Sequence, residues 1–141
     1  MNVAETLLAI HLRERGVRFE EQYAYVPPPR RFRGDFYLSD YRIIVEVQGG
    51  VHNMRRTRKD GSEYVGPGAH GTVKGIMADN ERLNLATRYG FGLLRYTPDQ
   101  VANGEAIADI MEVLVLADRA RPAMSTSHAT HDTDVPPMPP R

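Results

Sequence analysis

Cysteine and tryptophan are absent from this 141-residue chain. Without cysteine there can be no disulfide framework and no thiolate metal centre. Long apolar runs are lacking as well. None approaches the roughly 20 residues that a membrane-spanning helix needs, so no membrane partner is expected. The first residues show no basic region, apolar core and small-residue cleavage site of a secretory leader. A Walker loop, a GxSxG elbow and a GxGxxG turn are all missing, and no organic cofactor is expected. Net charge is missing too, with 18 basic and 18 acidic side chains.

What is present is the composition of an ordinary globular protein, 41% hydrophobic and 26% charged, enough for one domain. The balance of charge is uneven along the chain. Residues 30–59 hold eight basic side chains (Arg30, Arg31, Arg33, Arg42, Arg55, Arg56, Arg58, Lys59) against three acids (Asp35, Asp40, Glu46), a surplus of five. A local surplus of this kind suits either a polyanion partner or a solvated basic surface.

Hydrophobic spacing predicts the elements. Residues 3–15 read as a helix stopped by Gly16, with Ala4, Leu7, Leu8 and Leu12 on one side. Residues 17–26 read as a strand ended by Pro27-Pro28-Pro29. In 32–38, Phe32, Phe36 and Leu38 alternate with Arg33, Asp35 and Tyr37; in 42–48, Ile43, Val45 and Val47 alternate with Ile44, Glu46 and Gln48. The short link Ser39-Asp40-Tyr41 predicts that these two strands form an antiparallel hairpin. Residues 49–72, with six glycines, read as a long irregular loop, which compact domains keep mainly for binding. A helix over 73–89 should bury Ile76, Met77, Leu83, Ala86 and Tyr89. A strand follows over 91–96, then a helix opened by Thr97-Pro98-Asp99-Gln100, interrupted at Asn103-Gly104 and continued over 105–119. From Pro122 the chain is rich in Pro, Ser, Thr and His, and the expectation is a domain over 1–121 with a disordered tail over 122–141.

The chemistry-bearing feature is a pair of acids, Asp35 and Glu46, each in the middle of one hairpin strand and opposite its main apolar face. Neighbouring carboxylates repel, and burial raises the cost of keeping both ionised. A divalent cation such as Mg²⁺ removes that difficulty, because it takes oxygen ligands from one or two carboxylates, water and phosphate. It also makes a bound water a better nucleophile and stabilises charge on a phosphodiester. Gln48 projects from the same strand face as Glu46 and is a candidate to position water or a phosphate oxygen.

Gly-Asp-Phe-Tyr-Leu (34–38) followed by Val-Glu-Val-Gln-Gly-Gly (45–50) resembles the metal-binding core of the PD-(D/E)XK nuclease superfamily, the restriction-endonuclease-like fold. Extended through the basic loop, DNERLN (79–84) and RYTPDQV (95–101), the pattern is similar to small phage-type endonuclease or resolvase-like domains. The resemblance covers about residues 31–101. It implies an α/β fold with an αβββαβ core, a mixed central sheet and a C-terminal helix, which the independently predicted element order fits. It further implies that Asp35 and Glu46 hold Mg²⁺ or Mn²⁺ with the Val47 carbonyl. The absence of cysteine suits a reducing setting, and the expected location is the cytoplasm of a bacterial or phage-infected host cell. The superfamily's usual lysine is replaced here by Gln48.

Subsidiary residues carry two readings each. Glu5 matches a first-helix glutamate that many superfamily members place at the active site, but an acid in a first helical turn is also what the helix dipole favours. Arg82 and Lys74 are candidates to replace the lysine and support phosphate charge; for Arg82 the competing use is an i,i+3 ion pair with Asp79. His52 and His70 flank the basic loop without ligand spacing; they are candidates to bind metal or to protonate a leaving group, and the competing reading is a solvated loop histidine. Arg55, Arg56, Arg58 and Lys59, extended by Arg30, Arg31 and Arg33, form a candidate phosphate track. Tyr25, Tyr37 and Tyr64 are candidate base-stacking groups, and core packing is the favoured use of the first two.

The leading expectation is a Mg²⁺- or Mn²⁺-dependent DNA endonuclease that hydrolyses phosphodiesters without a covalent intermediate. The alternatives are a Holliday-junction or branched-DNA resolvase, for which a homodimer is the expected assembly, and a DNA-binding subunit with impaired catalysis, for which Gln48 is the main support. A metal-binding structural protein is a further class, and it predicts no phosphate track beside the acids.

Overall fold

The computed structural model describes residues 1–49, 54–66 and 72–122. The element order is α1 (Val3–Glu14), β1 (Glu20–Ala24), β2 (Arg33–Leu38), β3 (Ile43–Val47), β4 (Met54–Thr57), β5 (Glu63–Gly66), α2 (Val73–Arg88), β6 (Gly92–Tyr96), α3 (Pro98–Ala102) and α4 (Glu105–Ala120). Four strands form one mixed sheet in the order β1-β2-β3-β6. β1 and β2 pair antiparallel, as do β2 and β3, whereas β3 and β6 run parallel. A parallel pair cannot be joined by a tight turn, and here α2 makes the crossover.

Local chemistry explains the boundaries. Asn2 caps α1 in a capping box with Glu5, and Thr97 caps α3 in a second box with Gln100. Gly16 and Gly90 follow α1 and α2 with φ of 68° and 80°, where a side chain would be strained. Asn103-Gly104 divides the predicted last helix into α3 and α4. Gly34 has no room for a side chain, since a Cβ there would stand 2.1 Å from Cγ2 of Ile44.

The two sheet faces are covered by different helices. α1, α3 and α4 pack on one, burying Leu8, Leu12, Phe36, Leu38, Val45 and Ile110. α2 covers part of the other, where Ala86 joins Tyr25, Val26, Tyr37 and Ile44. None of the described helices is long and apolar enough to cross a membrane.

Four expectations require correction. The stretch 49–72 is not simply an irregular loop, because β4 and β5 pair antiparallel as a separate two-stranded ribbon, with Arg55 opposite Val65 and Arg56 opposite Tyr64. Four-residue strands flanked by glycine carry too little periodicity to be read from sequence. On α2, only Ala86 of the predicted apolar side is buried; Ile76 is 49% and Met77 67% exposed, and Leu83 and Tyr89 are also exposed. The helix is instead rotated so that Gly75, Ala78, Asp79 and Arg82 face a cleft. Phe32, lying just before β2, packs with Tyr25 and Ile44 and not with Phe36 and Leu38. The strand expected over 17–26 is shorter, at Glu20–Ala24. The tail from residue 123 falls outside the described residues.

Candidate active site

The start of β2, the end of β3, the N-terminal half of α2 and the C-terminal end of β6 enclose a cleft of about 370 Å³. Asp35, Glu46 and Asp79 line it as acids, and Arg33, Arg82 and Arg95 line it as bases, so its formal charge is zero. The β2–β3 ladder ends at the pair Phe36 and Val45. Beyond it, the Asp35 side chain takes over the role of a strand partner, with Oδ2 accepting the backbone N–H of Val47 at 2.7 Å. That bond anchors the carboxylate at the mouth of the hairpin.

Glu46 is 6% exposed and is the one charged residue buried among the described residues. A buried carboxylate needs partners, because desolvation of an unpaired charge costs far more than a hydrogen bond returns. Three groups meet that need. Nη1 of Arg82 donates to Oε1 at 2.6 Å, Nε of Arg95 donates to Oε2 at 3.0 Å, and the Tyr25 hydroxyl donates to Oε1 at 3.3 Å. The β3–β6 register sets Arg95 directly beside Glu46. Arg95 also reaches Asp79, with Nη1 3.3 Å from Oδ1, and Arg82 stacks over the Phe32 ring at 4.7 Å. Burial raises the Tyr25 pKa well above the ordinary tyrosine value, and the charge of Glu46 adds to it, so the phenol stays a neutral donor. Burial alone would lower the Arg82 pKa, but the charge and hydrogen bond of Glu46 outweigh it and leave Arg82 raised.

The structure therefore brings Asp35, Glu46, Val47, Gln48, Arg33 and Arg82 to one cleft. It does not bring Glu5 there. Glu5 closes the α1 capping box, accepting from the backbone N–H and side-chain amide of Asn2, which is the helix-terminus use of that acid. Lys74 is exposed and does not line the cleft, because the α2 face turned inward starts at Gly75. Arg82 does not make the i,i+3 pair with Asp79; it pairs with Glu46, and Arg95 takes Asp79. Arg30 forms an ion pair with Glu81 of α2, and Arg31 is exposed beside the Pro27-Pro28 turn. Arg58 stacks over Tyr64 at 4.6 Å and Lys59 is exposed at the tip of the ribbon. The backbones of Arg55 and Arg56 lie in β4, while His52 and His70 fall outside the described residues.

The roles of Arg95, Asp79 and Tyr25 at this cleft are not read from the sequence, where Tyr25 is a candidate for base stacking or core packing and Asp79 only a partner for Arg82. The RYTP string marked the strand carrying Arg95, but the signal for its role is the parallel register with β3, a tertiary fact. No cluster of three His, Cys, Asp or Glu side chains able to hold a metal occurs among the described residues. The oxygen donors facing the cleft, Asp35, Glu46 and Gln48 with the Val47 backbone, are those of a hard divalent cation that keeps several waters, not those of a protein cage.

No family model matches the chain, and no curated protein matches it. Among solved structures, the catalytic domain of homing endonuclease I-Bth0305I superposes with a TM-score of 0.55 at 15% identity, over 83% of this chain and 98% of that domain. At that identity the likeness is one of fold. The mixed sheet with its flanking helices is thus the fold that this chain has in common with the catalytic domain of a homing endonuclease.

Proposed function

We propose that the protein is a divalent-metal-dependent DNA endonuclease of the PD-(D/E)XK type, hydrolysing phosphodiester bonds with Mg²⁺ or Mn²⁺. The observation that carries the proposal is the meeting of Asp35 and Glu46 with Arg33, Arg82 and Arg95 in one cleft, open at the end of the β2–β3 hairpin. Acids for a cation and guanidinium groups for a phosphate are the two halves of phosphodiester hydrolysis. The endonuclease named in the fold likeness supports the same class.

Asp35 and Glu46 would hold the cation, with the Val47 carbonyl and Gln48 beside them. When bound, the cation supplies an activated water and neutralises charge developing on the phosphate. The chain's own groups do the rest. The Val47 N–H fixes the Asp35 carboxylate, and Tyr25 keeps Glu46 oriented through its neutral hydroxyl. Arg82 and Arg95 lie where they can stabilise the non-bridging phosphate oxygens, a preorganised electrostatic contribution. Gln48 orients the attacking water. Arg33 at the cleft rim and Arg58 and Lys59 on the ribbon extend the phosphate contacts, which give salt-dependent, sequence-independent affinity.

The reading of a catalytically impaired subunit rests on Gln48 standing in place of a lysine. Two arginines directed at Glu46 supply the missing cationic charge and count against it. The test is cleavage of labelled single-stranded, duplex and branched DNA with Mg²⁺, Mn²⁺ or EDTA, beside Asp35→Asn and Glu46→Ala. Metal-dependent cutting lost in both variants is the expected result, and preference for the branched substrate would move the assignment to a junction resolvase. Salt-sensitive binding without cutting in either metal would overturn the enzyme reading.

A further inference from the structure

Glu46 presents a conflict. A carboxylate that is to hold a cation has both of its oxygens already engaged by guanidinium groups, Oε1 by Arg82 and Oε2 by Arg95. The conflict is resolved by charge. Three acids and three arginines leave the cleft neutral. A divalent cation entering alone raises it to +2 against two nearby arginines, and a phosphodiester entering alone lowers it to −1 beside three acids. Entering together they leave it at +1, and each screens the charge that opposes the other.

Resting on the metal-dependent nuclease reading, we infer that the Arg82–Glu46–Arg95 cluster makes cation binding conditional on a bound phosphodiester. Arg82 and Arg95 hold Glu46 until DNA phosphate oxygens compete for them; transfer of the guanidinium groups to phosphate then frees the Glu46 oxygens for the cation. The geometry suits the transfer. Arg82 uses one terminal nitrogen, Nη1, for both Glu46 and the Arg33 carbonyl, leaving Nη2 without a hydrogen-bond acceptor among the described residues. Its side chain is 30% exposed and that of Arg95 18%, against 8% for Glu46, so the arginines are the more accessible members from the cleft. Asp79 keeps Arg95 near the cleft after Glu46 is released. The arrangement also leaves the buried Glu46 carboxylate neutralised in both states, by arginine in one and by cation in the other, which avoids the cost of an unpaired buried charge.

The test titrates Mn²⁺ into the full chain with and without a short DNA duplex, following free Mn²⁺ by electron paramagnetic resonance in the first minutes, with duplex plus Glu46→Gln as the control for metal held by DNA alone. The expected result is a gain of about tenfold in Mn²⁺ affinity with duplex, within the range of ordinary site-to-site coupling. By reciprocity the DNA affinity must rise by the same factor when Mn²⁺ is present. In the DNA-free protein, Arg95→Gln should bind Mn²⁺ about fivefold more tightly than the wild type and show a smaller gain with duplex. A purely structural Arg95 would give unchanged or weaker binding. Equal Mn²⁺ affinity with and without duplex overturns the inference while leaving the nuclease reading standing. No specific Mn²⁺ binding in either condition overturns both. The wild-type comparison can overturn the inference even if Arg95→Gln fails to fold, and Arg82→Gln, read in the same way, is the second variant that separates guanidinium transfer from ligation of the cation by phosphate alone.

Discussion

The two faces of the β1-β2-β3-β6 sheet are built on different principles. On one, α1, α3 and α4 close over a continuous apolar layer that includes Leu8, Leu12, Leu38 and Ile110. On the other, α2 meets the sheet through Leu85 and Ala86 near its C-terminal end, while its N-terminal half stands over ion pairs. Apolar burial is non-directional and scales with area, so the closed face can carry stability without placing any single atom. A reacting site needs charged groups at fixed positions and an opening for its ligand. The half-covered face provides both, with the closed face offsetting the cost of burying Glu46.

Substitutions on the two faces should therefore separate activity from stability. The largest expected effect is from Asp35→Asn, which should lower the cleavage rate by about 10³-fold, about 4 kcal/mol of barrier, with little change in melting temperature. A rate within tenfold of wild type would remove Asp35 from the chemistry. Ile110→Ala on the closed face should do the reverse, costing about 2–5 kcal/mol in denaturant unfolding while leaving the rate per folded molecule unchanged. Loss of activity in the fully folded variant would break the division between the faces.

Arg82→Gln comes next. We expect a fall of about 100-fold in kcat, read in single-turnover cleavage, because one of two preorganised donors to the phosphate is lost while Arg95 remains. On the ribbon, replacing Arg58 and Lys59 with Ala should leave kcat unchanged. It should reduce the slope of log affinity against log salt by about 2, one unit for each phosphate contact removed. An unchanged slope would take the ribbon out of the phosphate track.

The smallest effect concerns alkaline stability. Tyr25 is raised by burial and then by the charge of Glu46, and Tyr96 by burial and then by its 2.7 Å hydrogen bond to Asp109. A folded-state pKa above the unfolded value of about 10 means that the contribution is complete below that pH. It declines as pH rises through the raised values, because the unfolded chain loses those protons first. Absorbance titration should show these two phenols ionising after the exposed tyrosines, together with unfolding. Tyr25→Phe should weaken that dependence slightly.

Element order was largely legible in the sequence because capping, glycine stops and strand alternation are local signals. Thr97 with Gln100 begins a helix where that spacing predicts, and Gly16 stops another. The acid pair was legible too, since the short turn between β2 and β3 leaves one pairing that buries Phe36, Leu38, Ile43 and Val45 together. The ribbon was not, because its cross-strand pairs form only between two stretches of four residues each. The face of α2 was misread for a physical reason. Hydrophobic spacing favours Ile76, Met77 and Leu83 as the buried stripe, but Glu46 needs a guanidinium, and rotating Arg82 toward it leaves those side chains exposed.

The amino-acid order alone thus set the succession of elements around the main sheet, and which two acids share a hairpin, because caps, turns and alternation act over a few residues. The partners of those acids were settled by the fold. Arg95 lies 49 residues from Glu46 and Arg82 lies 36 away, and they meet it only because β6 aligns parallel to β3 with α2 as the crossover. Charge pairing across such separations leaves no periodicity in the chain; it arises when a buried carboxylate must be neutralised by whatever cation the packing brings within reach.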